Sequence, residues 1–187
     1  MLNDSSSPLR LLLTRRSAKA RDLGAPGPDP ATLDTLLAAA MRVPDHGKLA
    51  PWRLVVVEDR ERLADAILRL YRAERPEAGR LELQALSDFA HQAPCLVAVV
   101  SLVKDSHIPA WEQQLSAGAA TAHLMLAAHA AGFAANWLTG PAAYLPGMAE
   151  ALGVPGGRIA GFVFIGTPSR PLEERPRPDP AEVVLRL

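Results

Sequence analysis

The chain has 187 residues, enough for one domain with a sizeable core, and its 49% hydrophobic and 21% charged content excludes whole-chain disorder. Lys plus Arg and Asp plus Glu balance at 20 each, which removes any general electrostatic case for nucleic acid or an anionic membrane as partner. One cysteine, Cys95, excludes an internal disulfide, and its place in the apolar run "PCLVAVVSLV" points to inert burial.

No basic stretch leading into a long apolar one stands at the start, so no signal peptide is read and a cytoplasmic location is expected. In chain order, "PLRLLLT" (8–14) reads as a short helix that ends at "RRS". Asp29 and Pro30 form an N-cap and first-turn pair for a second helix, with Leu33, Leu36, Leu37 and Ala40 at helical spacing and Pro44 as its stop. "RLVVVED" (53–59) reads as a strand, and 60–73 and about 77–91 as two surface helices. The continuous apolar run at 94–103 implies a strand buried on both faces.

A long helix is expected from about Pro109 or Trp111 to Ala131, interrupted by Gly132. Residues 117–135 carry no formal charge, but Ala, Gly and two histidines make a close-packed buried helix a better reading than a membrane span. "FAANWLTG" (133–140) is an ambiguous short strand, a helix is expected near 144–152, and "RIAGFVFIG" (158–166) is a strand. In the proline-punctuated tail, the closing "EVVLRL" alternates like a strand. The sum is a single α+β domain over 1–187 with few strands and many helices.

Familiar catalytic signatures are absent. There is no phosphate-binding G-x-x-x-x-G-K-[ST] loop, no G-x-G-x-x-G after a strand, no H-E-x-x-H and no G-x-S-x-G. His123 and His129 are six apart and off a common ligand face, so no metal site is expected. Two cationic segments stand out. "TRRS" (14–17) places two guanidiniums beside a hydroxyl; taken alone, a solvated helix end accounts for it more readily than an anion site. "RVPDHGKLAPWR" (42–53) gathers Arg42, His46 and Lys48 on a loop stiffened by Pro44 and Pro51, while Trp52 reads equally as a core residue.

The order of "RRS", "MRVPDH…PWR", "WEQQLSAGAA", "GFAANWLTG" and "GFVFIGTP" resembles the nitroreductase family of FMN flavoproteins, and more closely its small YdjA-like branch. The resemblance runs from about residue 8 to the C-terminus. It implies a nitroreductase-like fold, with a central mostly antiparallel sheet flanked by helices and a swapped C-terminal arm (about 168–187) in a homodimer with FMN at the subunit interface. It further implies that Arg15, Arg16 and Ser17 hold the flavin from one subunit and that Arg42 and His46 reach it from the partner. Trp137, Leu138 and Thr139 would border the isoalloxazine. Ala127, Ala128, His129, Ala130, Ala131 and Gly132 would help place the nicotinamide. Larger relatives carry a Ser…Asn…Gln-Pro pattern in the 42–53 loop; here Gly47, Lys48 and Ala50 stand instead.

The implied activity is an NAD(P)H oxidoreductase that passes hydride through FMN to a nitroaromatic or quinone-like small-molecule acceptor in ping-pong fashion. NADH or NADPH is the reductant, and no side chain acts as catalytic acid or base because flavin N5 carries the chemistry. The same contacts also suit an FMN-binding or storage protein with little turnover, or a reductive dehalogenase or dehydrogenase. Dimerisation is expected on separate grounds as well: Ala and Gly in the long helix allow close helix approach, and an apolar terminal strand seeks an edge.

Overall fold

In a computed structural model describing residues 1–187, five strands form one sheet whose pairings are all antiparallel. The central strand is β5 (Arg158–Pro168). On one side it pairs with β3 (Cys95–Ser101), and β2 (Trp52–Val56) lies beyond. Along its other side run β4 (Ala134–Leu138), then the two-residue β1 (Leu23–Gly24).

The apolar run of β3 is buried on both faces, as its composition requires. Leu96 and Ala98 join Phe162 and Phe164 of β5 on the face covered by α3 (Arg60–Glu74) and α4 (Arg80–Ala90). Phe89 of α4 packs edge-on against both phenylalanines, with ring centroids 5.3 and 5.1 Å apart. Cys95, Val97 and Val99 join Val163 and Ile165 on the opposite face, covered by α2 (Pro30–Ala40) and α5 (Ala110–Ala130). Cutting Phe162 or Phe164 to Ala in such a core costs about 3–5 kcal/mol.

Local chemistry sets the helix starts. Ser7 Oγ accepts from the Arg10 amide at the head of α1 (Pro8–Thr14), and the Asp29 carboxylate accepts from Thr32 N at 2.7 Å to open α2. The 21-residue α5 buries Gln113, Ala117, Ala120, Leu124 and Ala128 along one stripe. Its Gln113 amide grips the preceding loop, accepting from Lys104 N and donating to the carbonyls of Lys104 and Ile108.

The structure corrects several sequence expectations. Asp59 is not strand: its carboxylate caps α3 instead, and β2 ends at Val56. The helix expected over 144–152 is broken by Pro146 and by Gly147 at φ +81°. A 3₁₀ turn (Pro141–Tyr144) precedes the short α6 (Met148–Ala151). The closing "EVVLRL" is not a strand. Asp179 and Pro180 cap a one-turn α7 (Pro180–Val183), because the Asp179 carboxylate accepts from Ala181 N. Upstream of it the arm lies on its own chain, where Ser169 N donates to Asp22 O and Arg16 Nε donates to Glu173 O at 2.6 Å. The β1 pairing has no sequence signal, since two residues are too few to show alternation.

Candidate active site

A cavity of about 600 Å³ opens where α1, α5 and the end of β4 meet, and it is lined by Leu12, Arg15, Ser17, Met125, Trp137 and Thr139 among others. That volume lies within the range of small-molecule and cofactor pockets. Its floor is apolar because Ala122, Met125 and Leu126 share one face of α5. Its far wall comes from Trp137 of β4 and Thr139 just past the strand's end, which face the cavity, whereas Leu138 between them packs on the Phe162 side of the sheet.

The segment after α1 is held by polar contacts to both sides. Asn3 brackets the Arg16 peptide, its Oδ1 accepting from Arg16 N at 2.7 Å and its Nδ2 donating to Arg16 O at 3.2 Å. On the β4 side, Asn136 Nδ2 donates to Ala18 O. Within that frame Arg15 Nη1 donates to Ser17 Oγ at 3.1 Å, so guanidinium and hydroxyl enter the cavity together.

The electrostatics are unusual for a chain with zero net charge. Burial lowers the pKa of the Arg15 guanidinium from its ordinary value, and the nearby cations of Arg177, Arg16 and Arg175 lower it further. Arg177 Nη2 donates to the Arg15 carbonyl at 3.3 Å and to Glu174 at 2.9 Å. Four guanidiniums with one carboxylate among them make a local excess of positive charge. A bound anion relieves that repulsion.

His129 lies beneath this cluster on α5, 1% exposed, with Nδ1 donating to the Phe133 carbonyl at 3.2 Å. Its pKa falls to about 4, chiefly through burial and with a contribution from Arg15, so the ring is neutral near pH 7. With Nδ1 carrying the hydrogen, Nε2 is a buried lone pair without a partner.

Of the residues that the resemblance pointed to, the structure brings Arg15, Ser17, Trp137 and Thr139 together around one cavity. Arg16 turns away to the arm. Leu138 offers the cavity no side chain. Of the six residues expected near a nicotinamide, Ala128 and His129 are buried, Ala127 is half-buried, and Ala130, Ala131 and Gly132 are exposed at the helix end; none lines the cavity. Arg42 and His46 do not line it either, and His46 instead meets Glu112 of α5 at 2.6 Å.

The nitroreductase family model matches residues 12–167. The chain belongs to the nitroreductase family. A provisionally named NAD(P)H nitroreductase of Haemophilus influenzae is 38% identical over 163 residues, covering 85% of this chain and 87% of that protein. YdjA of Escherichia coli K12, provisionally named in the same way, is 35% identical over 164 residues, with 86% and 87% covered. The crystal structure of a nitroreductase-like family protein from Bacillus cereus superposes with a TM-score of 0.80 at 25% identity, over 97% of this chain and 96% of that one. Family membership makes the chain an oxidoreductase, and its cavity is the place in the fold equipped with both an aromatic wall and paired cations.

Sequence reasoning missed the apolar floor and the arm's contribution to the charge. The floor was available in principle, because 122, 125 and 126 follow helical spacing on an otherwise alanine-rich helix. Arg175 and Arg177 carried no such signal, since only the fold of the arm brings them to Arg15.

Proposed function

We propose that this nitroreductase-family chain is an FMN-dependent NAD(P)H oxidoreductase that reduces nitroaromatic or quinone-like acceptors by alternating hydride transfers. The observation that carries the reading is the pairing of the Arg15 cation cluster with the Trp137 wall in one cavity, which suits a ligand both anionic and flat. FMN is such a ligand, and when bound it supplies the hydride-accepting ring that no side chain of this site provides.

The residues fit the group by chemistry. Arg15 and Ser17 would hold its polar edge and phosphate-bearing chain, with Arg16, Arg175 and Arg177 raising the local positive potential. The apolar floor of Ala122, Met125 and Leu126 excludes water from one side of a flat ligand and strengthens the charged contacts beside it. Leu138 and Thr139 would border the ring, Leu138 through its main chain only. Ala127 to Gly132 do not line the cavity, so a role for them with nicotinamide would run through the end of the helix.

The reading includes a homodimer in the cytoplasm. Leu9, Leu12 and Leu13 of α1 and Trp111 and Leu115 of α5 are exposed apolar residues on elements that also frame the cavity. Arg42 and His46 would then reach the flavin of the other subunit, and the exposed Val183, Val184, Leu185 and Leu187 would pack on that subunit as a swapped arm. Light scattering of the full chain and of a 170–187 deletion tests this: the full chain should run as a dimer, and a monomer that binds FMN stoichiometrically would refute it.

Anaerobic stopped-flow mixing of the FMN-loaded protein with NADH and with NADPH tests the activity. The expected result is bleaching of the flavin band by at least one reductant, followed by recolouring with a nitroaromatic or quinone. Stoichiometric FMN with no bleaching would favour a storage protein instead.

A further inference from the structure

The Trp137 indole is held in a way that hydrogen bonding alone does not explain. Trp137 pairs with Val163 across the β4–β5 ladder, and its side chain lies diagonally over the next residue of β5 on the same face, Gly161. Its Nε1 donates to the Ala160 carbonyl at 3.1 Å. A Cβ placed on Gly161 would sit 1.9 Å from Nε1, 2.3 Å from Cδ1 and 3.1 Å from Cε2 of that ring. The five-membered ring therefore occupies the space where every other residue type would carry a side chain.

The seat has a consequence for the cavity. Trp137 also lines a second cavity of about 410 Å³ with Ser101, Gln114, Gly118, Arg158 and Ile159, so the indole forms a partition between the two spaces. Trp137 is 37% exposed, so part of its surface faces solvent rather than packed side chains. Removing the seat frees it to swing, and a wall that swings no longer defines where a flat ligand stops.

We propose that Gly161 is a positioning residue: it acts through Trp137, seating the indole against the Ala160 carbonyl so that it stands as a fixed wall of the flavin cavity. The effect on FMN rests on the flavin reading above, whereas the seat itself is a property of the chain alone. Gly161 lies in β5 beside a register shift against β3, but its φ is outside the left-handed region, so Ala is compatible with its backbone and the indole is what Ala would meet.

The test is a double-mutant cycle read in two ways. In FMN-free protein labelled with ¹⁵N-tryptophan, three indole N–H signals are expected from Trp52, Trp111 and Trp137, the last assigned by its loss in Trp137→Leu. Gly161→Ala should displace the Trp137 signal strongly. The Trp52 signal, whose donor meets Ser116 Oγ inside the core, should stay in place.

FMN titration then supplies the second reading. Gly161→Ala should weaken binding about tenfold in the wild-type background, the scale of an overpacked site, and leave it unchanged within about twofold in the Trp137→Leu background. An unmoved Trp137 signal, or the same loss of affinity in both backgrounds, would overturn the proposal. Should Gly161→Ala fail to fold, recovery of the Tm of Trp137→Leu by the double variant would support the seat, and failure of both would refute it. Absence of FMN binding by the wild type would count against the flavin reading and leave the indole signals to decide the seat.

Discussion

The cavity at Arg15 and the loop at 42–53 draw on similar residues, Arg, His and Trp, yet they are built in opposite ways. In the cavity, regular elements carry most of the side chains: a strand supplies Trp137, a long helix supplies the floor, and backbone clamps from Asn3 and Asn136 fix the segment that carries Arg15. In the loop, order comes from local bonds around a strained backbone. The Asp45 carboxylate accepts from Leu49 N and Ala50 N, Ser116 Oγ accepts from Trp52 and donates to Pro44 O, and His46 meets Glu112. Gly47, Lys48 and Ala50 all have positive φ, at 74°, 55° and 45°. A left-handed non-glycine residue costs roughly 1–2 kcal/mol, and such strain concentrates at functional sites. The difference teaches that the cavity is prepared within one chain, whereas the loop presents Arg42 outward with no partner in its own chain.

His129 provides the largest effect. His129 is buried with its pKa down at about 4, while an unfolded chain titrates it near its ordinary 6.5. Below that ordinary value the unfolded state takes up a proton the native state resists. Stability from this residue is therefore full above about pH 6.5 and is lost as pH falls toward 4. The loss amounts to about 3 kcal/mol at most. Urea unfolding at pH 7 and pH 4.5 should show the drop, and His129→Leu should flatten it. An equal drop in the variant would assign acid sensitivity to other groups.

The cations give the next effect. Arg15→Ala should weaken FMN binding about ten- to hundredfold, the equivalent of roughly 1.5–3 kcal/mol for a charge-assisted hydrogen bond, with little change in fold. Arg42→Ala should do the same only if the loop reaches a flavin across a dimer interface, which is the expected outcome. Loss at Arg15 with none at Arg42 would leave the loop without a cofactor role.

The smallest effect probes the strain directly. Ala50→Gly removes the steric cost of its positive φ and should raise stability by about 0.5–1 kcal/mol after the added entropy of the unfolded glycine is counted. Calorimetric Tm measures it. A lower Tm would mean that Asp45 and its neighbours hold Ala50 without net strain.

Much of the architecture was legible because burial on both sheet faces writes itself into sequence. "CLVAVVS" pointed to an interior strand, and Asp29-Pro30 to the start of a helix, and both stand in the structure. Arg15, Ser17, Trp137 and Thr139 were named through family resemblance, not through spacing, since only the fold brings residues so far apart in the chain into one cavity wall. What stayed hidden depends on the path of the chain. Arg177 meets Arg15 across 162 residues of sequence, and the seat of Trp137 depends on a register that sets it beside Gly161. The terminal alternation misled because Asp179-Pro180 imposes a helical turn that outweighs a six-residue pattern.

The central claim is that the Arg15 cluster and the Trp137 wall together hold a flavin by its phosphate and its ring. Parallel equilibrium titrations with FMN and with riboflavin, which has the same ring and no phosphate, test it most directly. The account expects one FMN per chain, riboflavin weaker by at least about tenfold, and a gap between them that narrows in high salt as the guanidiniums are screened. Equal affinity for the two flavins, or no binding of either, would contradict it.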